Sequence, residues 1–211
     1  MVPWLNQLRV YLVSDRRQTN GRPLIDVVEQ ALQGGVRAVQ LRERDLDTRS
    51  LLHLAHGLRV LTHRYGALLL VNDRIDIALA SGADGIHLPA ESFGVKDART
   101  LGPDLLIGVS THRPDEVAAA EAAGADFVVF GPVFDTPSKR PFGPPAGLEA
   151  LAEAALGARL PVLAIGGITG ERVRDVRESG AAGVAVIRAV LAADDPTAAS
   201  RALTDAIGSG F

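Results

Sequence analysis

The chain has 211 residues, 47% of them apolar, a net charge of −3 and no cysteine. That length suits one domain with a sizeable core and is short for two, so a single domain over residues 1–211 is expected. The missing cysteines exclude disulfides, thiolate catalysis and cysteine metal sites, the weak charge without a basic run argues against nucleic acid, and no apolar run reaches the ~18 residues of a membrane span.

Short apolar runs alternate with longer amphipathic stretches along the whole chain. The first run, Arg9–Ser14, ends at Ser14-Asp15 and is followed by a helical pattern over Leu24–Gln33. The second, Ala38–Arg42, leads into Glu43-Arg44, and a helix is predicted over Arg49–Arg64. The third, Ala67–Asn72, ends at Asp73; the fourth, Gly85–Leu88, at Pro89; the fifth, Leu106–Ser110, at Thr111-His112 before a helix over Pro114–Ala123. The sixth, Phe127–Gly131, opens the long Pro- and Gly-rich stretch Pro132–Gly147, which is read as a candidate lid. The seventh, Pro161–Ile165, runs into Gly166-Gly167 and a helix over Arg172–Ser179; the eighth, Gly183–Ile187, ends at Arg188. Most of these runs are apolar on both faces, as parallel strands covered by helices are. Strand and helix in alternation predict an α/β fold, a (β/α)8 TIM barrel with eight parallel strands and short loops, since ~200 residues is near the minimum for it.

A weak repeat supports this reading. Gly34-Gly35-Val36-Arg37, Gly82-Ala83-Asp84-Gly85, Gly124-Ala125-Asp126-Phe127 and Gly180-Ala181-Ala182-Gly183 precede the second, fourth, sixth and eighth strands. Each begins with glycine where a helix must end. These are the expected turns at the bottom of the barrel, so chemistry is expected at the opposite, carboxyl ends of the strands.

Polar residues gather at those ends. Gly166-Gly167 opens a helix, and bare amides at a helix N-terminus bind phosphate; Ile187 and Arg188 supply a second wall. The plainer alternative is a tight turn. His112 lies just past the fifth strand, where an imidazole can give and take a proton, or merely neighbours the helix starting at Pro114. Gln40, Arg42 and Arg44 alternate along one face, and guanidinium groups there suit phosphate, diphosphate or carboxylate. Asn72 and Ser110 end their strands with a polar group. Asp73 can hold Mg²⁺ or cap the third helix. Thr136, Ser138 and Lys139 offer donors to an anion or face solvent. Glu43 can pair with a neighbouring arginine. His87 can touch a ligand or be a satisfied core residue, while His53, His56 and His63 lie on a helix and are expected to face solvent.

From Tyr11 to about Ala202 the sequence resembles the thiamine phosphate synthase/TenI family. The resemblance rests on Gln40-Leu41-Arg42-Glu43-Arg44-Asp45, Val71-Asn72-Asp73-Arg74, Gly108-Val109-Ser110-Thr111-His112, Gly131-Pro132-Val133-Phe134-Asp135-Thr136-Pro137-Ser138-Lys139 and Ile165-Gly166-Gly167-Ile168, in order and at the family's spacing. It implies one of two activities in thiamine biosynthesis. A synthase joins hydroxymethylpyrimidine diphosphate to a thiazole phosphate with Mg²⁺, using Asp73 as a metal ligand. A thiazole tautomerase shifts a proton to make the thiazole carboxylate phosphate aromatic and needs no metal.

Departures from the synthase pattern point to the tautomerase. In the run His87-Leu88-Pro89-Ala90-Glu91-Ser92, Ser92 stands where the synthase has its second acidic ligand, and a neutral hydroxyl is the weaker Mg²⁺ partner. Arg44 stands for a lysine. Leu88-Pro89, Ser92-Phe93, Lys96 and the run from Val129 to Phe134 read closer to the tautomerase branch. The resulting expectation is a tautomerase that needs no cofactor. Its phosphate sits on Gly166, Gly167, Ile187 and Arg188, His112 moves the proton, and Arg42 or Arg44 steadies the carboxylate. The alternatives are a Mg²⁺-dependent synthase and a barrel that binds a thiazole or thiamine phosphate without turnover. A thiazole phosphate is the expected partner, with no nucleic acid or membrane. A homodimer is in keeping with the family, although no interface signature is read in the residues. The N-terminus lacks the apolar core of a signal peptide, so the cytoplasm is the expected location.

Overall fold

Strands covered on both faces need no alternation of polar and apolar residues, and the apolar runs fold accordingly. The computed structural model describes residues 4–136, 140 and 143–208. Its strands are β1 (Val10–Val13), β2 (Ala38–Leu41), β3 (Leu68–Asn72), β4 (Gly85–Leu88), β5 (Leu106–Thr111), β6 (Phe127–Phe130), β7 (Val162–Ile165) and β8 (Gly183–Val186). Neighbours pair in parallel and in chain order, and β1 closes on β8 through Val10–Val184, Tyr11–Ala185 and Leu12–Val186. The expected (β/α)8 barrel is therefore the fold.

Between the strands lie α1 (Leu24–Gln33), α2 (Thr48–Arg64), α3 (Ile75–Ser81), α4 (Val95–Leu101), α5 (Pro114–Ala123), α6 (Gly147–Gly157), α7 (Val173–Glu178) and the one-turn α8 (Arg188–Leu191); α9 (Pro196–Gly208) follows. In α1 the buried residues Leu24, Val27, Val28, Ala31 and Leu32 recur at helical spacing, which turns one stripe to the sheet. Asp47 caps α2 by accepting from the Ser50 N–H, and α5 starts at Pro114, whose missing N–H costs nothing there. Gly82 and Gly124 end α3 and α5 in the left-handed region, as the repeat predicts. No helix among the described residues is long and apolar enough to cross a membrane.

Two apolar layers result. One lies between strands and helices. The other fills the barrel with Leu8, Tyr11, Val13, Ala38, Leu70, Leu106, Phe127, Val129, Leu163 and Ala185. Phe127 reaches across to Gly108, where an added Cβ would lie 2.3 Å from its ring. This apolar plug closes the barrel below, so only the upper ends of inward-facing rows are free for polar groups.

Candidate active site

Side chains alternate along a strand, so inward rows that begin apolar end at the mouth with whatever residue comes two further on. In β2 the row is Ala38, Gln40, Arg42; in β3 it is Leu68, Leu70, Asn72; in β4 Gly85 leads to His87; in β5 Leu106 and Gly108 lead to Ser110. Five polar groups thus stand on an apolar floor. Gln40 is buried and donates from Nε2 to the Tyr11 hydroxyl at 3.1 Å. His87 is buried beside the rings of Tyr11 and Phe127, with Nε2 2.9 Å from Ser110 Oγ. Burial, with Arg42 adding to it, pushes the His87 pKa down to about 3, so the ring is neutral at physiological pH.

The loop after β2 is held by a cluster that the sequence concealed. Glu43 is buried. It accepts from Ser14 Oγ at 2.7 Å and from the Arg16 N–H and guanidinium, the latter at 3.0 Å. Ser14 Oγ in turn accepts from the Arg42 N–H at 2.8 Å. Glu43 therefore pairs with Arg16 of the loop after β1, which leaves the flanking Arg42 and Arg44 to the mouth. Burial and the nearby Arg44 lower the Arg42 pKa, with Asp15 and Glu43 acting in the opposite sense, so two cations gather at this edge of the mouth. Arg16 also pairs with Asp45, whose carboxyl it holds well below the usual range.

A cleft of about 350 Å³ opens among Glu43, Arg44, Asn72, Asp73, Arg74 and Glu91. Asp73 sits at φ +64, and α3 is capped by Arg74, so Asp73 is not the helix cap. Its carboxylate instead accepts from Ser92 Oγ at 2.5 Å. Among the described residues no three acidic or imidazole groups converge as a metal cage. Mg²⁺ needs only one or two carboxylates when substrate phosphates and water complete its shell, so Asp73, Ser92 and nearby Glu91 fit that ion.

On the opposite arc the turn after β7 is built on the loop after β6. Gly166 and Gly167 have φ of +99° and +65°. The Val133 and Phe134 N–H groups donate to the Ile165 and Gly166 carbonyls, at 2.8 and 3.1 Å. Arg172 donates to the Gly167 carbonyl at 2.7 Å and stacks on the Phe134 ring. His112 is exposed on the rim; its Nδ1 lies 2.5 Å from the Gly131 carbonyl and its N–H donates to Glu116. Gly131 itself abuts Ile165, so His112 and Gly166 belong to one continuous rim. Ile187 precedes α8 and Arg188 opens it, exposed; Arg22 fixes the other end of that turn by donating to the Leu191 and Ala193 carbonyls. Thr136 is half-buried, whereas Ser138 and Lys139 lie outside the described residues, as does part of the candidate lid. His53, His56 and His63 are exposed, as expected.

A family model described as thiamine monophosphate synthase matches residues 10–190. The chain belongs to that family. Relatives of the family include a thiamine-phosphate synthase of Roseiflexus sp. (strain RS-1), 45% identical over 96% of this chain and 86% of the relative. Another, from Methanoculleus marisnigri, is 45% identical over 95% of each. A solved thiamine phosphate pyrophosphorylase from Pyrococcus furiosus superposes with a TM-score of 0.90 at 37% identity, covering 97% of both chains. A 3-hexulose-6-phosphate synthase, at 17% identity and a TM-score of 0.68, shares the fold alone.

These likenesses overturn the tautomerase expectation, because relatives over nearly the full length carry the synthase name. The geometry explains the misreading. Read by itself Ser92 is a lost acidic ligand, yet its oxygen lies against the Asp73 carboxylate. Arg44 lines the same cleft and keeps the cation that the family's lysine would bring. His112, assigned the proton transfer, is an exposed rim residue with one ring nitrogen already engaged.

Proposed function

We propose that this chain is a thiamine-phosphate synthase, joining hydroxymethylpyrimidine diphosphate to a thiazole phosphate with release of diphosphate. The observation that carries the reading is the Asp73–Ser92 contact in a cleft that Arg44 also lines, on the rim across from the Gly166-Gly167 turn. Relatives of that name over most of the chain support it.

On this reading the partners are small molecules and each anion has its own arc of the mouth. The glycine turn and the start of α8 hold the thiazole phosphate through backbone amides of Gly167, Ile187 and Arg188. Arg42 and Arg44 hold the diphosphate, with Thr136 and the segment carrying Ser138 and Lys139 as further donors. Asp73 and Ser92, with Glu91 beside them, would hold Mg²⁺, which when bound offsets charge on the leaving diphosphate. Gln40, Asn72 and Ser110 orient the heterocycles above the apolar floor, so that the two meet with one bond to diphosphate breaking and one to the thiazole forming. His112 gives its Nδ1–H to the Gly131 carbonyl, so it closes the rim and presents Nε2 as an acceptor. Such placement in a dry site can remove several kcal/mol of the barrier without acid–base chemistry.

Purified protein incubated with both substrates and Mg²⁺ tests the reading. Thiamine phosphate and diphosphate should form in equal amounts, and chelation of the metal should stop both. Consumption of neither substrate would sink it.

A further inference from the structure

His87 is 2% exposed, and its Nδ1 has no hydrogen-bond partner among the described residues. Its Nε2 faces Ser110 Oγ, and the rings of Tyr11 and Phe127 lie beside it. Among the described residues no carboxylate pairs with it, and the charge that acts on it is the cation of Arg42. The ring is therefore a neutral imidazole with one N–H to place.

Two tautomers differ in what they leave unpaired. With the hydrogen on Nδ1, a buried N–H has no acceptor, and Nε2 takes up the only hydrogen of Ser110. With the hydrogen on Nε2, the N–H is satisfied by Ser110 Oγ, and Nδ1 keeps only a lone pair. An orphaned buried N–H is the rarer and costlier arrangement. The second tautomer also leaves the Ser110 hydrogen unused. Ser110 is half-buried at the mouth, above the floor that holds His87.

We propose that His87 is a positioning residue: as the Nε2–H tautomer it holds Ser110 by its oxygen and turns the serine hydroxyl into an obligate donor to a ring nitrogen of the bound heterocycle. Both substrates of the proposed reaction are nitrogen heterocycles, so only the identity of the ligand rests on that reading. The pairing also favours a ring nitrogen with a free lone pair over one that carries hydrogen.

Two measurements test this. The first is the ¹⁵N signature of the His87 ring in labelled, ligand-free protein. The Nε2–H tautomer is expected; an Nδ1–H tautomer or an imidazolium overturns the proposal whatever the activity. The second compares His87→Leu, His87→Gln, Ser110→Ala and His87→Leu/Ser110→Ala with the unaltered protein. The glutamine amide can stand in for Nε2–H, so His87→Gln should stay within about threefold, and His87→Leu should raise KM for one heterocycle about tenfold and leave the other unchanged. In the Ser110→Ala background His87→Leu should cost nothing further. An equal loss in both backgrounds, or no rescue by glutamine, shows that His87 only fills space and overturns the proposal. If the unaltered protein forms no thiamine phosphate, the synthase reading fails by itself. The same variants are then titrated calorimetrically with each heterocycle, and the same pattern is expected in Kd. If His87→Leu does not fold, the tautomer measurement on the unaltered protein decides.

Discussion

Ser92 Oγ donates to Asp73 Oδ1 across 2.5 Å and so ties the loop after β4 to the loop after β3. The pair offers one charge and three oxygens where a family pattern with two acids would offer two charges. Asp73→Asn is expected to lower kcat/KM by about 10²-fold at fixed Mg²⁺, with partial recovery as Mg²⁺ rises. Ser92→Asp should do the opposite, lowering the Mg²⁺ needed for half-maximal rate. Two carboxylates in contact repel each other without the ion, so this variant should also melt earlier than the parent in chelator and regain the difference when Mg²⁺ is added. Thermal melts across a Mg²⁺ series read both effects. An unchanged Mg²⁺ requirement in both variants would remove the pair from the metal site.

Gly166 tests the second arc of the mouth. Its φ is +99°, and an added Cβ would lie 2.5 Å from Pro132 Cβ. A methyl group there must push the loop after β6 off the turn after β7. Gly166→Ala is expected to cost about 1–3 kcal/mol of stability and to weaken thiazole phosphate binding more than tenfold. Gly170→Ala is the control, since nothing lies within 4 Å of its added Cβ. Calorimetry with the thiazole phosphate and thermal melting of both variants check this. Full binding by Gly166→Ala would show that the phosphate sits elsewhere.

How much of this was readable in advance follows from how far apart the contacts lie in the chain. The strands were legible because a closed parallel barrel buries both of their faces, which leaves unbroken apolar runs ending in polar residues. The place of Gln40, Arg42, Asn72 and Ser110 at the upper strand ends was legible for the same reason, since it depends only on the two-residue period of a strand. Glu43 was misjudged because its partners, Ser14 and Arg16, lie 29 and 27 residues away and meet it only where β1 and β2 pair. The same holds for Ser92 and Asp73, 19 residues apart on adjacent strand ends. Read singly, Ser92 was a missing charge, and that reading tipped the choice of activity the wrong way. Arg172 stacking on Phe134 left no trace in the sequence pattern.

Burial of His87 also sets a pH dependence of folding. Its pKa is about 3 in the folded chain against 6.5 for the free side chain. Between those values the unfolded chain binds a proton that the folded chain refuses. Stability therefore falls as pH drops below about 6.5 and levels off, for this group, only near 3, at up to ~1.4 kcal/mol per pH unit. Arg42 reinforces the effect and Tyr11 does not titrate in that range. Urea titrations between pH 7 and 4.5 should show the decline, and His87→Gln should flatten it. An equal decline in the variant would assign the slope to other groups.

The repeat at the bottom of the barrel makes the last prediction. Asp126 donates its N–H to the Ile107 carbonyl and accepts the Ile107 N–H on Oδ2 at 2.7 Å, while Arg99 pairs with the same carboxylate. Asp84 does the same for Leu69, with Arg59 as its cation. Each aspartate thus satisfies the first free amide of β5 or β3 before the sheet's own ladder can. The copy before β8 has Ala182 instead and keeps only the bond from its N–H to the Val162 carbonyl. Removing either carboxylate strands a strand amide and takes the ion-pair partner from Arg99 or Arg59, so Asp126→Ala and Asp84→Ala should each cost about 1–3 kcal/mol, or several degrees in Tm. Asn at either position keeps an acceptor and should recover about half of that loss. The site lies at the other end of the strands, so kcat and KM at 25 °C should not move. A change in KM without a change in Tm would mean that these turns serve the ligand and not the fold.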